Sequence, residues 1–84
     1  MKINEKIKYI IDISVKEESS IYDLFIELKE KFSSIENEEE VFDIISEYIK
    51  DNEVVFYKYE GEDISEINFN EAKKDIYNSY LHYK

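Results

Sequence analysis

Hydrophobic positions recur along this chain with two periods. Ile21, Leu24, Phe25, Leu28 and Phe32 fall at i, i+3, i+4, i+7 and i+11, which predicts an amphipathic helix over residues 21–32. Ser20 is placed to cap it, Asp23 sits near its positive end, and Ser33-Ser34 breaks the pattern. Val41, Ile44, Ile45, Tyr48 and Ile49 make a second stripe over residues 38–51. Asn37 caps that helix, Glu40 stands three residues on as in a capping box, and Asp51-Asn52 ends it.

Beyond residue 52 the period changes. Val54 and Phe56 alternate with Val55, Tyr57 and Tyr59, so residues 53–59 read as a strand with apolar residues on both faces. Glu60-Gly61-Glu62-Asp63 is a turn, and residues 64–67 return as a short partner strand. Asn68 with Glu71 is a second capping pattern, opening a C-terminal helix with the stripe Phe69, Ala72, Ile76, Tyr80 and Tyr83. Residues 3–15 fit two templates. Ile3, Ile7, Ile10, Ile11 and Val15 share a helical face, while Ile7, Tyr9, Ile11, Ile13 and Val15 alternate as in a strand. The helix is preferred because of the helices that follow.

The predicted class is therefore α+β, mostly helical. Its order is three helices, a β-hairpin and a C-terminal helix, with a strand as the alternative for the first element. The stretch from Ile21 through Tyr59 resembles a winged-helix module: a helix, a short turn, a second helix, then a strand entering a wing. Residues 1–84 are expected to form one domain. A chain of this length buries roughly 60% of the surface its unfolded form exposes, enough to fold without staples.

Charge narrows the function. The chain carries 21 acids against 11 cations, a net −10. The excess is uneven: residues 1–16 hold four lysines and two acids, whereas residues 17–63 hold 16 acids and four lysines. Nucleic-acid binders cluster cations against phosphates, so direct nucleic-acid binding is disfavoured. Anionic membrane surfaces are disfavoured for the same reason. No signal peptide or membrane span is visible, and no cysteine is present, which fits a cytoplasmic protein. Apolar residues at 43% and aromatics at 15% exceed what a disordered acidic tail would hold.

The densest charge lies in residues 36–53, with eight carboxylates beside one cation, Lys50. Glu38, Glu39 and Glu40 suit the first turn of a helix, where the macrodipole favours anions. Glu39 also belongs to a stripe with Asp43, Glu47 and Asp51, which stand four apart on the outward face and which the dipole does not explain as a set. Three like-charge i,i+4 pairs cost about 1 kcal/mol together. The stripe is either a solvated face or a site for a cationic partner. On a winged-helix module this would be the recognition helix, and its carboxylates would repel a duplex. Tyr57 and Tyr59 lie beside the acidic turn Glu60, Glu62 and Asp63, and tyrosine is a frequent interface anchor. The alternative is that these tyrosines simply fill the two faces of a strand.

Catalysis finds little support. His82, the sole histidine, stands next to the C-terminus, and no nucleophile elbow accompanies it. The single glycine, Gly61, leaves no phosphate-cradling loop, and neither acidic turn has EF-hand spacing. No cofactor and no metal are expected.

In size, acidity and element order the chain resembles the small acidic immunity proteins that neutralise bacterial toxins. That resemblance implies a non-enzymatic inhibitor, an immunity protein or antitoxin, whose acidic face docks on a basic, nuclease-like toxin. The expected partner-binding residues are Glu39, Asp43, Glu47, Asp51, Tyr57, Tyr59, Glu60, Glu62 and Asp63, on a monomer or weak homodimer. Two alternatives stand beside it: a phage-encoded nucleic-acid mimic acting on a host defence nuclease, and a winged-helix transcriptional regulator.

Overall fold

The ambiguous N-terminal segment is helical in the computed structural model, which describes residues 4–84. Helix α1 spans Glu5–Lys16, and its cap decides between the two templates. Asn4 is extended, and its side chain accepts from the Ile7 amide at 2.9 Å. Ile7, Ile10, Ile11, Ser14 and Val15 are buried at helical spacing, while Tyr9, which a strand would have turned inward, is exposed. Ile3, the first residue of the predicted face, lies outside the described residues.

Helix α2 (Ile21–Lys31) starts at the Ser20 cap, whose hydroxyl accepts from the Asp23 amide at 3.1 Å. Helix α3 (Glu38–Asp51) starts at Asn37, which accepts from the Glu40 amide at 3.1 Å. The Glu40 carboxylate meets the Asn37 side-chain amide rather than its backbone, so the capping box predicted there is only half made. Strands β1 (Val54–Glu60) and β2 (Asp63–Ile67) form the hairpin. Helix α4 (Phe69–Lys74) opens with the full capping box of Asn68 and Glu71. The fold is α+β, mostly helical and winged-helix-like.

The C-terminal helix is shorter than its stripe predicted. It stops at Lys74, and Tyr80–Tyr83 form a third strand, β3. The break is chemical. Asn78 and Ser79 both turn back onto Asp75, the first through its carboxylate and the second through its carbonyl. The loop so formed gives its carbonyls to α2. Ile21 N–H donates to Ser79 O at 2.9 Å, and Tyr22 N–H to Ile76 O at 3.0 Å. Two orphan donors of a helix start are thereby satisfied by the chain's last turn.

The sheet order is β2-β1-β3, all antiparallel, with Phe56 opposite both Ile67 and Leu81. These three side chains face the helices. The core they meet includes Ile11, Leu28, Ile44 and Ile45, each 0% exposed. Burying each such side chain contributes about 1.5–3 kcal/mol. Phe69 bridges the layers edge-on, with ring centroids 5.5 Å from Phe42 and 5.6 Å from Phe56. No described helix is long and apolar enough to cross a membrane.

Candidate functional site

The α3 stripe is built by the same periodicity that buries Val41, Phe42, Ile44, Ile45 and Tyr48. With that face turned to the core, Glu39, Asp43 and Asp51 are exposed and Glu47 is half-buried. Two of the four acids meet lysines. Glu39 lies 3.4 Å from the Lys73 ammonium of α4, and Glu47 lies 2.8 Å from Lys50. Hydrogen bonding and charge from Glu47 raise the Lys50 pKa. Exposed pairs of this kind are worth about 0–1 kcal/mol, so they soften the repulsion along the stripe without cancelling it. Asp43 makes no hydrogen bond or ion pair among the described residues.

At its C-terminal end the stripe borders a groove of about 250 Å³, lined by Asn4, Glu5 and Lys8 of the α1 start and by Glu47, Tyr48, Asp51 and Asn52. Lys8 is committed to Asp12 at 3.0 Å. The groove mouth therefore presents Glu5, Glu47 and Asp51 with one paired cation.

The hairpin carries the other predicted residues. Glu60 and Asp63 close a two-residue loop, and Gly61 takes φ +66 at its first position, the place for glycine in a type II′ turn. Glu60 pairs with Lys58 at 3.3 Å, while Glu62 and Asp63 are exposed. Tyr59 is exposed, but Tyr57 is buried, at 3%. Both tyrosines alternate with Phe56 and so lie on the outer face of the sheet, away from the helices. The stripe and the tyrosines thus form two separate patches, one on the helical side and one on the sheet side.

The outer sheet face holds residues that sequence reasoning missed. Across the register, Tyr57 stands opposite Glu66 and Tyr80, Val55 opposite His82, and Tyr59 opposite Ile64. The Tyr57 ring stacks on Tyr80 at 5.4 Å and meets Tyr59 at 5.7 Å and His82 at 6.0 Å, both edge-on. Glu18, from the turn after α1, joins Val55, Tyr57, Ile64, Glu66 and His82 around a cavity of about 220 Å³. The Tyr57 hydroxyl is closed off from solvent, with the Tyr59 hydroxyl as its neighbour. Burial pushes its pKa up, and Tyr59 and Glu18 push the same way. The alternation of Val55, Tyr57 and Tyr59, continued across the turn to Ile64 and Glu66, was the available signal. Tyr80 and His82 gave none while residues 69–83 read as one helix.

Among the described residues no group of three His, Cys, Asp or Glu side chains is placed to hold a metal ion. No family model, curated protein or solved structure matches the chain.

Proposed function

We propose that this chain is a non-enzymatic protein-binding inhibitor, an immunity protein or antitoxin of the cytoplasm that neutralises a basic, nuclease-like toxin. The observation that carries the reading is the α3 face: Glu39, Asp43 and Asp51 exposed, Glu47 at the groove edge, on the helix that a winged-helix module would lay in DNA. Such a face repels phosphate and attracts a surface built to hold phosphate. Complementary charge speeds the encounter and selects the partner, and the acids then occupy the groove that the toxin's substrate needs. The hairpin-tip acids Glu60, Glu62 and Asp63, with Tyr59 beside them, offer a second contact for a partner large enough to reach the sheet edge.

The test is affinity capture from the organism that encodes the chain, with Glu39/Asp43/Glu47/Asp51→Ser as the control. The wild type is expected to retain a basic protein whose nuclease activity stops at a one-to-one ratio, and the variant to lose it. Equal capture by both removes α3 as the interface. A gel shift with genomic DNA that is strong at low salt and weakens steeply with salt points instead to a transcriptional regulator.

A further inference from the structure

We propose that the free edge of β2 takes up an extended, basic segment of a partner protein as a fourth strand of the sheet. The proposal rests on the reading above only for the partner's basic charge. It uses a different part of the molecule and different chemistry, main-chain pairing.

The topology sets the edge. In the order β2-β1-β3 the middle strand is paired on both sides, and the outer strands are each paired on one. The β3 edge is met by Ser20, which bridges to Tyr80. Among the described residues no backbone hydrogen bond outside the sheet involves residues 63–67.

The register then says which backbone groups point outward. Glu60 and Asp63 flank a two-residue turn and so form the first hydrogen-bonded pair of the ladder. Hydrogen-bonded and non-hydrogen-bonded pairs alternate from there. Ser65 and Ile67 turn their N–H and C=O groups to Lys58 and Phe56. Ile64 and Glu66 turn theirs the other way, to the open edge. Two donors and two acceptors stand there at strand spacing, which an extended backbone can match and a helix cannot.

Side chains on this edge select the guest. The exposed large hydrophobics among the described residues are three tyrosines and Ile64, which is 61% exposed and has no polar end. Ile64 stands opposite Tyr59, so its other flank is the one a guest side chain would cover. Natural edges are blunted by lysine, proline or a bulge. The sequence of β2, Asp-Ile-Ser-Glu-Ile, has neither lysine nor proline, and its pairing with β1 runs without a bulge. Its charges are all of one sign. Glu62, Asp63 and Glu66 are exposed, and Lys58, across the ladder, is held by Glu60 at 3.3 Å. Opposite charges across a ladder attract and like charges repel. The edge therefore favours a basic strand over a second copy, which would bring the same acids and another −10. In an antiparallel guest the residue opposite Glu66 is basic, the one two positions later, opposite Ile64, is apolar, and the next, opposite Asp63, is basic.

The experiment titrates the full chain with the acetylated, amidated peptide Thr-Lys-Thr-Val-Lys-Thr and follows amide shifts and hydrogen exchange by NMR. Antiparallel pairing sets its first lysine opposite Glu66, its valine opposite Ile64 and its second lysine opposite Asp63. In the free protein the Ser65 and Ile67 amides are expected to be protected and those of Ile64 and Glu66 to exchange freely. With free peptide at about ten times its Kd, exchange at Ile64 and Glu66 should slow by about tenfold. Methylating the backbone nitrogens of the first lysine and the valine keeps every side chain and removes two ladder bonds, so binding should be lost. Glutamates in place of the two lysines should abolish it too. Glu66→Gln, with an unchanged circular dichroism spectrum, should weaken it about two- to fivefold. Unchanged exchange at Ile64 and Glu66, equal binding of the methylated or the acidic peptide, or a dimer in light scattering that itself protects these two amides would each overturn the proposal. The two readings fail separately. A peptide that does not bind leaves α3-dependent capture intact, and failed capture leaves strand pairing at β2 standing.

Discussion

The Tyr48 hydroxyl donates to the Asp12 carboxylate across 2.6 Å, joining α3 to α1 through residues 36 positions apart. The Tyr83 hydroxyl stands 3.3 Å from Tyr48 and 3.4 Å from Asp12, so the end of β3 meets the same carboxylate. Tyr48 is 1% exposed, whereas the Asp12 side chain is 26% exposed and also holds Lys8. Tyr48→Phe keeps the ring in the core and removes one bond to a charged acceptor. Such bonds contribute about 1.5–3 kcal/mol, and water reaching Asp12 places the loss at the lower end. Denaturant unfolding should show it. Tyr83→Phe, at the longer contacts, should cost less than Tyr48→Phe.

The same carboxylate sets an acid limit. Burial pushes the Asp12 pKa up, but hydrogen bonds from Tyr48, Lys8 and Tyr83, with the charge of Lys8, outweigh it, leaving the pKa below the ordinary 3.8. A depressed carboxylate contributes stability that is present above the unfolded value and lost as pH falls through the folded one. The stability gap between the wild type and Tyr48→Phe should therefore be full at pH 7 and shrink below about pH 4. A gap that stays constant to pH 2 would show that Asp12 is not the titrating partner.

At the alkaline end the signs reverse. Burial, with Asp12 and Tyr83 beside it, pushes the Tyr48 phenol up, and burial pushes Tyr57 up too. A raised phenol contributes stability that is full below its unfolded value near 10 and lost as pH rises through the folded value. Absorbance titration of phenolate should show Tyr48→Phe and Tyr57→Phe each removing amplitude from the high-pH end of the curve. Loss from its early part would place these rings in water.

Glu18 closes α1 with the two bonds of a Schellman motif. Ser19 N–H reaches Ser14 O at 3.0 Å, and Glu18 N–H reaches Val15 O at 3.3 Å. Glycine is the residue this position favours, and a side chain at φ +56 costs about 1–2 kcal/mol. Glu18→Gly should raise stability by about 0.5–1 kcal/mol, after the extra freedom of the unfolded chain is subtracted. For a domain of this size that is a rise of a few degrees in melting temperature. A fall would mean that the Glu18 side chain makes a stabilising contact in the free protein.

Much of the fold was legible because local signals agreed. Ser20, Asn37 and Asn68 each cap the helix expected of them, and the hairpin turns at Gly61. Two segments were ambiguous on period alone. Residues 3–15 were settled by the Asn4 cap, a local signal that favours the helix. Residues 75–83 were not, because Phe69, Ala72, Ile76, Tyr80 and Tyr83 satisfy a helical stripe even though Asp75, Asn78 and Ser79 interrupt it. What overrides that stripe is non-local: β1 offers Tyr80–Tyr83 an antiparallel edge, and α2 takes the carbonyls of the turn. The acidic stripe was legible from a four-residue spacing on a strongly periodic helix. The outer-face cavity was not, since it needs β3 in place and a turn residue, Glu18, brought over the sheet.

Asp43 separates a solvated face from one that the free protein itself needs. It lies midway along the stripe, with Glu39 and Glu47 each four residues away, and has no partner among the described residues. Replacing it by lysine removes two like-charge pairs and creates two opposite ones, with Glu39 placed N-terminal to the new lysine in the favourable orientation. Each change of this kind is worth about 0.2–0.5 kcal/mol, so Asp43→Lys should stabilise the isolated protein by roughly 1 kcal/mol at low salt and by less at high salt. Stability and partner binding should then move in opposite directions. The variant should melt later and associate more slowly with the captured basic protein, and salt should matter less to its association rate than to that of the wild type. If Asp43→Lys instead lowers the melting temperature, the carboxylate supports the fold and its place on the docking face is lost. If stability rises while association is unchanged, α3 is a solvated face and the partner is held elsewhere.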